Sequence, residues 1–415
     1  MKANNVVELS GRVEAGDALT AKLRAGAQAL MRQAVDAELQ ELLAIHAGRV
    51  TAGGGAAVVR NGYLPERRLQ TGIGPVTVKI RKVRAKTGEP VTFCSALVPP
   101  YVRKIRTLAA ALPWLSLQGV SSGEMGAAVG VLVGPEAQGL SASTVSRLKQ
   151  AWAQEYATWR TARLGSDRWV YVWANGVYSG LRAEQTRLCA LVVIGVNERG
   201  EKHFLSIEDG VRESTQSWRE VLLKLKSRGM KAPPLAIGDG AMGFWAALEA
   251  IYGETRQQRC WMHKTMNVLN GFPTSSQAKA KQSLHAIWQA ETKADAETAF
   301  DLFITSYEAK YPKAPLCLHQ DREELMAFYD FPAPHWQSIR TSNPIESSFA
   351  TIRHRTHRSK GCLSRDGMLH RMFKLGQCAE KGWRRLRGFD DLAKLVIGIK
   401  FKDGIEVTEV NQAAA

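Results

Sequence analysis

At Arg168 the hydrophobic period of this chain changes, and with it the structures the chain can form. Residues 169–174 (W-V-Y-V-W-A), 188–196 (L-C-A-L-V-V-I-G-V) and 202–207 (K-H-F-L-S-I) read as three strands separated by short turns bearing Gly or Asn. Such spacing predicts an antiparallel meander. A helix is expected over 217–227, where Trp218, Val221, Leu222 and Leu225 share one face. A buried strand follows at 235–238 and ends at Asp239. A helix over 244–251 then leads to a last strand around 256–262.

The order β-β-β-α-β-α-β is that of an α/β, ribonuclease-H-like mixed sheet. In that layout the first and fourth strands lie side by side, so groups at their C-terminal ends converge. Two acids stand where such convergence is useful. Asp239 lies in I-G-D-G-A and Glu346 in T-S-N-P-I-E. The first strand delivers Asn175 at its expected C-terminus, where a third acid would complete the set. Phosphoryl transfer by two divalent ions needs about three anionic oxygens around cations roughly 4 Å apart. An amide offers one neutral oxygen. Each residue also has a plainer reading. Asp239 could cap the following helix, although its flanking glycines allow close backbone approach. Glu346 could simply favour a helix dipole, with Asn343 as N-cap and Pro344 in the first turn. Asn175–Gly176 is a common turn pair. Asp167 lies at the wrong end of the first strand, while Glu208 and Asp209 end the third, at a sheet edge.

The charge balance points to a polyanion. Lys and Arg number 56 against 39 Asp and Glu, a net +17. The excess is clustered, with twelve basic and four acidic residues over 340–390 and eight against one over 60–86. Such blocks suit phosphate contacts, though a solvated basic face has the same composition. Residues 76–84 alternate, so that Val76, Val78 and Ile80 can face a core while Lys79 and Arg81 point outward. The stretch 101–163 reads as three helices, 104–117, 122–133 and 143–162. Together, with Arg147 and Lys149 on the last, they resemble a helix-turn-helix unit, or else a small helical connector. Arg340, Asn343, Arg353, Arg355, Arg358 and Lys360 are the other candidates for holding DNA. No apolar run approaches the ~20 residues of a membrane span. Six scattered cysteines predict a reduced, cytoplasmic protein without disulfides.

The predicted domains are a helical region at 1–55, a small basic β segment at 56–100 and a helix-turn-helix-like DNA-binding domain at 101–165. The first part of the ribonuclease-H-like core follows at 166–266, then an all-α insertion at 267–341. A helix with the last acid and a basic tail complete the chain at 342–415. Cys260 and His263 form a C-x-x-H on the fifth strand or just after it. Zinc would need two further ligands, and Cys317 with His319 is a poorly spaced pair.

The segments W-A-N-G-V-Y, I-G-D-G-A-M-G-F-W, R-C-W-M-H-K, T-S-N-P-I-E-S and H-R-T-H-R-S-K-G-C-L-S resemble the mutator-type bacterial insertion-sequence transposases, from about Asn61 to Ile405. The resemblance implies a DDE transposase that uses two Mg²⁺ or Mn²⁺ ions. Such an enzyme cleaves and joins DNA at terminal inverted repeats, acting on double-stranded ends and target as a DNA-bound homodimer. Position by position, Asp239 is the second acid and metal ligand, and Glu346 the third. Cys260 and His263 match the family's C-x-x-H. Asn175 falls where the family has its first Asp, so this version is expected to bind its ends without cutting them. Retention of Asp239 and Glu346 favours one deliberate replacement over gradual decay. The alternatives are a non-catalytic DNA-binding protein derived from a transposase, and a standalone nuclease. The implied location is the cytoplasm, on the nucleoid when bound to DNA.

Overall fold

A computed structural model describes residues 10–102, 112, 113, 115, 117, 120, 124, 125, 127–129, 142–181, 187–240, 242–358 and 364–407. Two units divide the chain, Met1–Leu148 and Lys149–Ala415.

In the first unit, helix α1 (Ser10–Ile45) precedes strands β1 (Val58–Tyr63), β2 (Arg67–Thr71), β3 (Gly74–Val78) and β4 (Arg81–Ala85). The alternation read from the sequence is present. Val76, Val78 and Ile80 are buried with Leu69, Val35 and Leu39, while Lys79 is exposed. The alternating stretch 76–84, read as a strand or a hairpin, is neither one strand nor a paired hairpin. β3 pairs with β2, and β4 pairs instead with β1, so the chain changes partner between Val78 and Arg81. A second small core joins Leu112, Leu115, Met125 and Val129, with Leu148 packed against it. Most of the helices expected at 104–117 and 122–133 lies outside the described residues. Helix α2 (Ala142–Thr161) matches the third.

The second unit is built on one mixed sheet in the order β7-β6-β5-β8-β9. Its strands are β5 (Trp169–Ser179), β6 (Leu188–Asn197), β7 (Lys202–Gly210), β8 (Leu235–Gly238) and β9 (Arg256–Arg259). The first three form an antiparallel meander, whereas β5–β8 and β8–β9 are parallel. Helices α3 (Thr215–Ser227) and α4 (Met242–Tyr252) cover one face. There Trp218, Val221, Leu222, Phe244 and Leu248 meet Val172, Ala174, Leu191, Val193 and Ala236. Ser214 starts α3 by accepting from the Ser217 N–H at 3.2 Å.

After β9 the chain is helical, as expected for 267–341, in α5 (Trp261–Leu269), α6 (Thr274–Trp288), α7 (Lys293–Tyr307), α8 (Lys313–His319) and α9 (Arg322–Met326). Prolines at 312 and 315 hid α8 from the sequence reading. Helices α10 (Asn343–Arg358) and α11 (Arg365–Glu380) then return to the second face of the sheet. Phe349 and Trp383 pack on Phe204, and Tyr171 on that face hydrogen-bonds His335 at 2.7 Å. Among the described residues no helix is long and apolar enough to cross a membrane.

Two boundaries differ from expectation. β5 does not end near Gly176 but runs to Ser179, because β6 pairs with it along its whole length. β9 stops at Arg259 rather than Met262. Its neighbour β8 ends at Gly238, whose carbonyl receives the Cys260 N–H at 2.8 Å as the chain turns into α5.

Candidate active site

The register of β5 against β8 places two of the three candidate acids' positions together. The last parallel pair is Ala174 with Gly238, so Asn175 and Asp239 follow it on adjacent strands. Side chains alternate along a strand, so Asn175 shares a face with Trp173 and Asp239 with Ile237. Trp173 donates its indole N–H to the Thr341 carbonyl at 3.1 Å, which identifies this as the face where the segment before α10 arrives. Gly238 points the other way, against Phe244 and Trp245.

The turn after Asp239 depends on Gly240, with φ +112° and the Arg259 guanidinium lying where a Cβ would be. Arg259 is itself held by Asp321 at 2.8 Å. A Gly240→Ala substitution is expected to cost about 2 kcal/mol or more, from left-handed backbone strain plus displacement of that guanidinium. Calorimetry checks this, and an unchanged melting temperature would contradict the geometry.

Glu346 occupies the first turn of α10 and is held from its N-terminal side. Ser342 donates its hydroxyl to the Glu346 carboxylate. The same hydroxyl lies 3.3 Å from His263 Nδ1 and 3.2 Å from Cys260 Sγ, which also receives the Ser342 N–H at 3.2 Å. His263 Nδ1 is 3.6 Å from Glu346. One donor atom each from Cys260, His263 and Glu346 lies within 4.8 Å of the others. The C-x-x-H therefore belongs to a helix start, with Cys260 buried at the N-cap of α5 and His263 in its first turn.

Electrostatics couples these groups. The hydrogen bond with Cys260, against an opposing desolvation, raises His263 to about 9, and Cys260, Glu346 and Asp239 add to the rise. Burial pushes the Cys260 thiol up, but hydrogen bonds from His263 and Ser342 outweigh it and hold the thiol below its ordinary value. At neutral pH His263 is thus an imidazolium that feels both Asp239 and Glu346, which are remote in sequence.

A further acid was not anticipated. Glu213, just before α3, has its carboxyl group against Gly176, where a Cβ would overlap it. Its backbone carbonyl abuts Gly243 equally closely. Burial raises the Glu213 carboxyl above the usual range, and Asp239 raises it further. Its surroundings, V-R-E-S-T, gave no periodic signal; only the glycines at 176 and 243 hinted at a close approach. The other acids at the ends of β5 and β7 are engaged elsewhere. Glu208 pairs with Arg160 and Lys224, Asp209 with Arg365 and Asp167 with Arg199.

The cationic candidates are dispersed. Lys79 lies 3.5 Å from Glu66 and, with Arg81, over the Tyr63 ring. Arg147 and Lys149 are exposed on α2. Arg340 is half-buried, stacked 4.4 Å from the Trp288 ring centre and bonded to the Trp288 carbonyl at 2.9 Å. Asn343 is exposed at the start of α10, whose later turns carry Arg353, Arg355 and Arg358. Lys360 lies outside the described residues.

The model of one protein family, the mutator family of transposases, matches residues 2–375. The chain belongs to this family. Its similarity to curated members is high. It is 50% identical over 279 residues to the transposase for insertion sequence element IST2 of Acidithiobacillus ferrooxidans, covering 67% of this chain and 94% of that protein. Identity is 41% over 293 residues with the transposase for IS6120 of Mycolicibacterium smegmatis, covering 71% and 90%. A more distant relative, the transposase for insertion sequence element ISRM5 of Rhizobium meliloti, is 25% identical over 337 residues, 81% of this chain and 82% of its own.

Proposed function

We propose that this mutator-family chain is a DNA transposase that binds the terminal inverted repeats of an insertion sequence and carries the site for metal-dependent strand cleavage and transfer. The observation that carries the reading is the β5–β8 register. It sets Asn175 beside Asp239 on the face approached by Thr341, next to the helix that carries Glu346. The strand order, with one change from antiparallel to parallel at β5, supports a ribonuclease-H-like core. That core comprises 166–266 and 342–415, with 267–341 as an α-helical insertion. The regions 1–55, 56–100 and 101–165 are assigned to DNA binding, through Lys79 and Arg81 and through Arg147 and Lys149. Two DNA ends must be paired, so the working form is a homodimer on DNA, in the cytoplasm at the nucleoid.

The residues present fit hard divalent cations such as Mg²⁺ or Mn²⁺. Carboxylate and amide oxygens are their preferred donors. The carboxylate of Glu346 lies 3.6 Å from His263, which also feels the charges of Asp239 and Glu213, and one buried oxygen of Glu213 has no hydrogen-bond partner. Such ions, when bound, activate the attacking oxygen and stabilise the leaving one. Asp239 and Glu346 would hold them, with the Asn175 amide oxygen as a weak third donor. Ser342 keeps Glu346 oriented, and the buried Cys260 and half-buried His263 fix Ser342. The reaction is in-line attack on a phosphodiester by water, then by a 3′-hydroxyl, with no covalent enzyme intermediate. Asn343 and Arg353 are assigned to phosphates near the cut, and Arg355, Arg358 and Lys360 to those beyond it.

Asp239→Asn tests this reading. Mn²⁺ affinity, followed by electron paramagnetic resonance, is expected to fall about tenfold or more, because a charged ligand is lost. Affinity for duplex DNA from the element's ends should stay unchanged. Mn²⁺ binding equal to that of the unsubstituted protein would overturn the site. Asn175 itself favours a second reading, a protein that holds ends without cutting them. End cleavage by the unsubstituted protein in Mn²⁺ decides between the two.

A further inference from the structure

We propose that Glu213 is a third carboxylate ligand of the divalent-cation site, supplying the charge that Asn175 does not. The inference rests on the metal-dependent reading given above and assigns a residue that the DDE pattern does not include.

The argument starts from the sheet. β8 ends at Gly238, yet β5 continues past Ala174 to Ser179. Beyond Ala174, then, the edge of β5 facing β8 has lost its strand partner. Glu213, from the segment before α3, comes up against this part of β5 and receives a hydrogen bond from the backbone of Gly176, next to Asn175. Two glycines fix the segment. A Cβ at Gly176 would overlap the Glu213 carboxyl, and one at Gly243 would strike the Glu213 carbonyl. Gly176 follows Asn175 on β5, and Gly243 opens the helix that follows Asp239, so Glu213 is wedged between the two chain segments that present the site.

Its carboxylate is also incompletely satisfied. The side chain takes hydrogen bonds from Tyr178 and the Gly176 backbone, but Oε2 is buried without a hydrogen-bond partner. A buried acceptor left unpaired is costly and rare, and a cation is one of the few partners that would compensate it. The Glu213 carboxyl feels the charges of Asp239 and His263, the same His263 that lies 3.6 Å from Glu346. Counting charge, Asp239, Glu346 and Glu213 bring three formal negatives towards two divalent ions, where the first two alone bring two. The competing role for Glu213 is a neutral carboxylic acid that only caps Gly176.

Glu213→Gln preserves shape and hydrogen bonds but removes the charge. In the full-length chain, Mn²⁺ affinity read by electron paramagnetic resonance is expected to fall about tenfold. Asn175→Asp added to Glu213→Gln should restore it, since the charge count returns to three. A capping role predicts no change in Mn²⁺ affinity and no rescue, with any effect confined to the melting temperature. If Asp239→Asn and Glu346→Gln weaken Mn²⁺ binding and Glu213→Gln does not, the role of Glu213 is overturned while the metal site stands. If none of the three weakens it, the metal-dependent reading itself fails. Should Glu213→Gln not fold, Glu213→Asp keeps the charge on a shorter arm. Affinity between those of the unsubstituted and Asp239→Asn proteins then supports ligation, and full affinity opposes it.

Discussion

Asn175→Asp is expected to raise the rate of strand cleavage at element ends in Mg²⁺ by about three orders of magnitude. A new unit charge about 4 Å from a cation is worth about 4 kcal/mol at an effective dielectric near 20, and each 1.36 kcal/mol is about tenfold in rate. The strand face sets where that charge arrives. Asn175 shares the face of Trp173, whose indole meets the segment leading to Glu346, whereas Gly176 turns the opposite side of β5 towards Glu213. Asp at 175 and Glu213 therefore approach the site from different sides, and the substitution adds a ligand rather than displacing one. DNA affinity should be almost unchanged, because the substitution removes none of the basic residues proposed to contact phosphates. Single-turnover cleavage of labelled end duplexes measures the effect. Equal rates for the two proteins would show that position 175 contributes nothing to the chemistry.

Affinity for duplex DNA is expected to drop about 10³-fold or more between 50 and 200 mM salt. A net charge of +17, concentrated in 60–86 and 340–390, is enough for about six phosphate contacts, and six or more give a drop of that size. Fluorescence anisotropy across a salt series gives the slope of log K against log salt, expected near −5 or steeper. A nearly flat plot would remove nucleic acid as the partner. Arg147→Ala with Lys149→Ala should lower end affinity while leaving the slope shallower by about two.

The sheet was readable because its strands are buried on both faces and so appear as apolar runs bounded by turn residues. Leu188–Asn197 is buried throughout, and Leu235–Gly238 was located to the residue. Asp239 and Glu346 were visible for a similar reason, each standing at the end of an apolar strand or at the start of a proline-marked helix. What sequence could not supply was the termination of pairing. Whether β5 stops at Gly176 or Ser179, and whether Cys260 closes a strand or opens a helix, depends on where a neighbouring strand ends. Glu213 was hidden more deeply. Its role follows from a gap beside β5 and from two glycines on other elements, and local periodicity carries neither.

Helix α10 carries Glu346 in its first turn and Arg358 at its last residue. It therefore acts as a ruler. At about 1.5 Å per residue the two positions are about 18 Å apart along the axis, close to five steps of about 3.4 Å along one DNA strand. On the function proposed above, a phosphate gripped near the far end and a bond cut near the first turn would be held at a set spacing by a single rod. Inserting one residue between them would lengthen that rod only slightly but swing the distal cations by about 100° around its axis. Inserting about seven would bring them back to nearly the same side, two turns farther out. On that function, the distance from grip to cut, counted in nucleotides, would be written into the number of residues between Glu346 and Arg358.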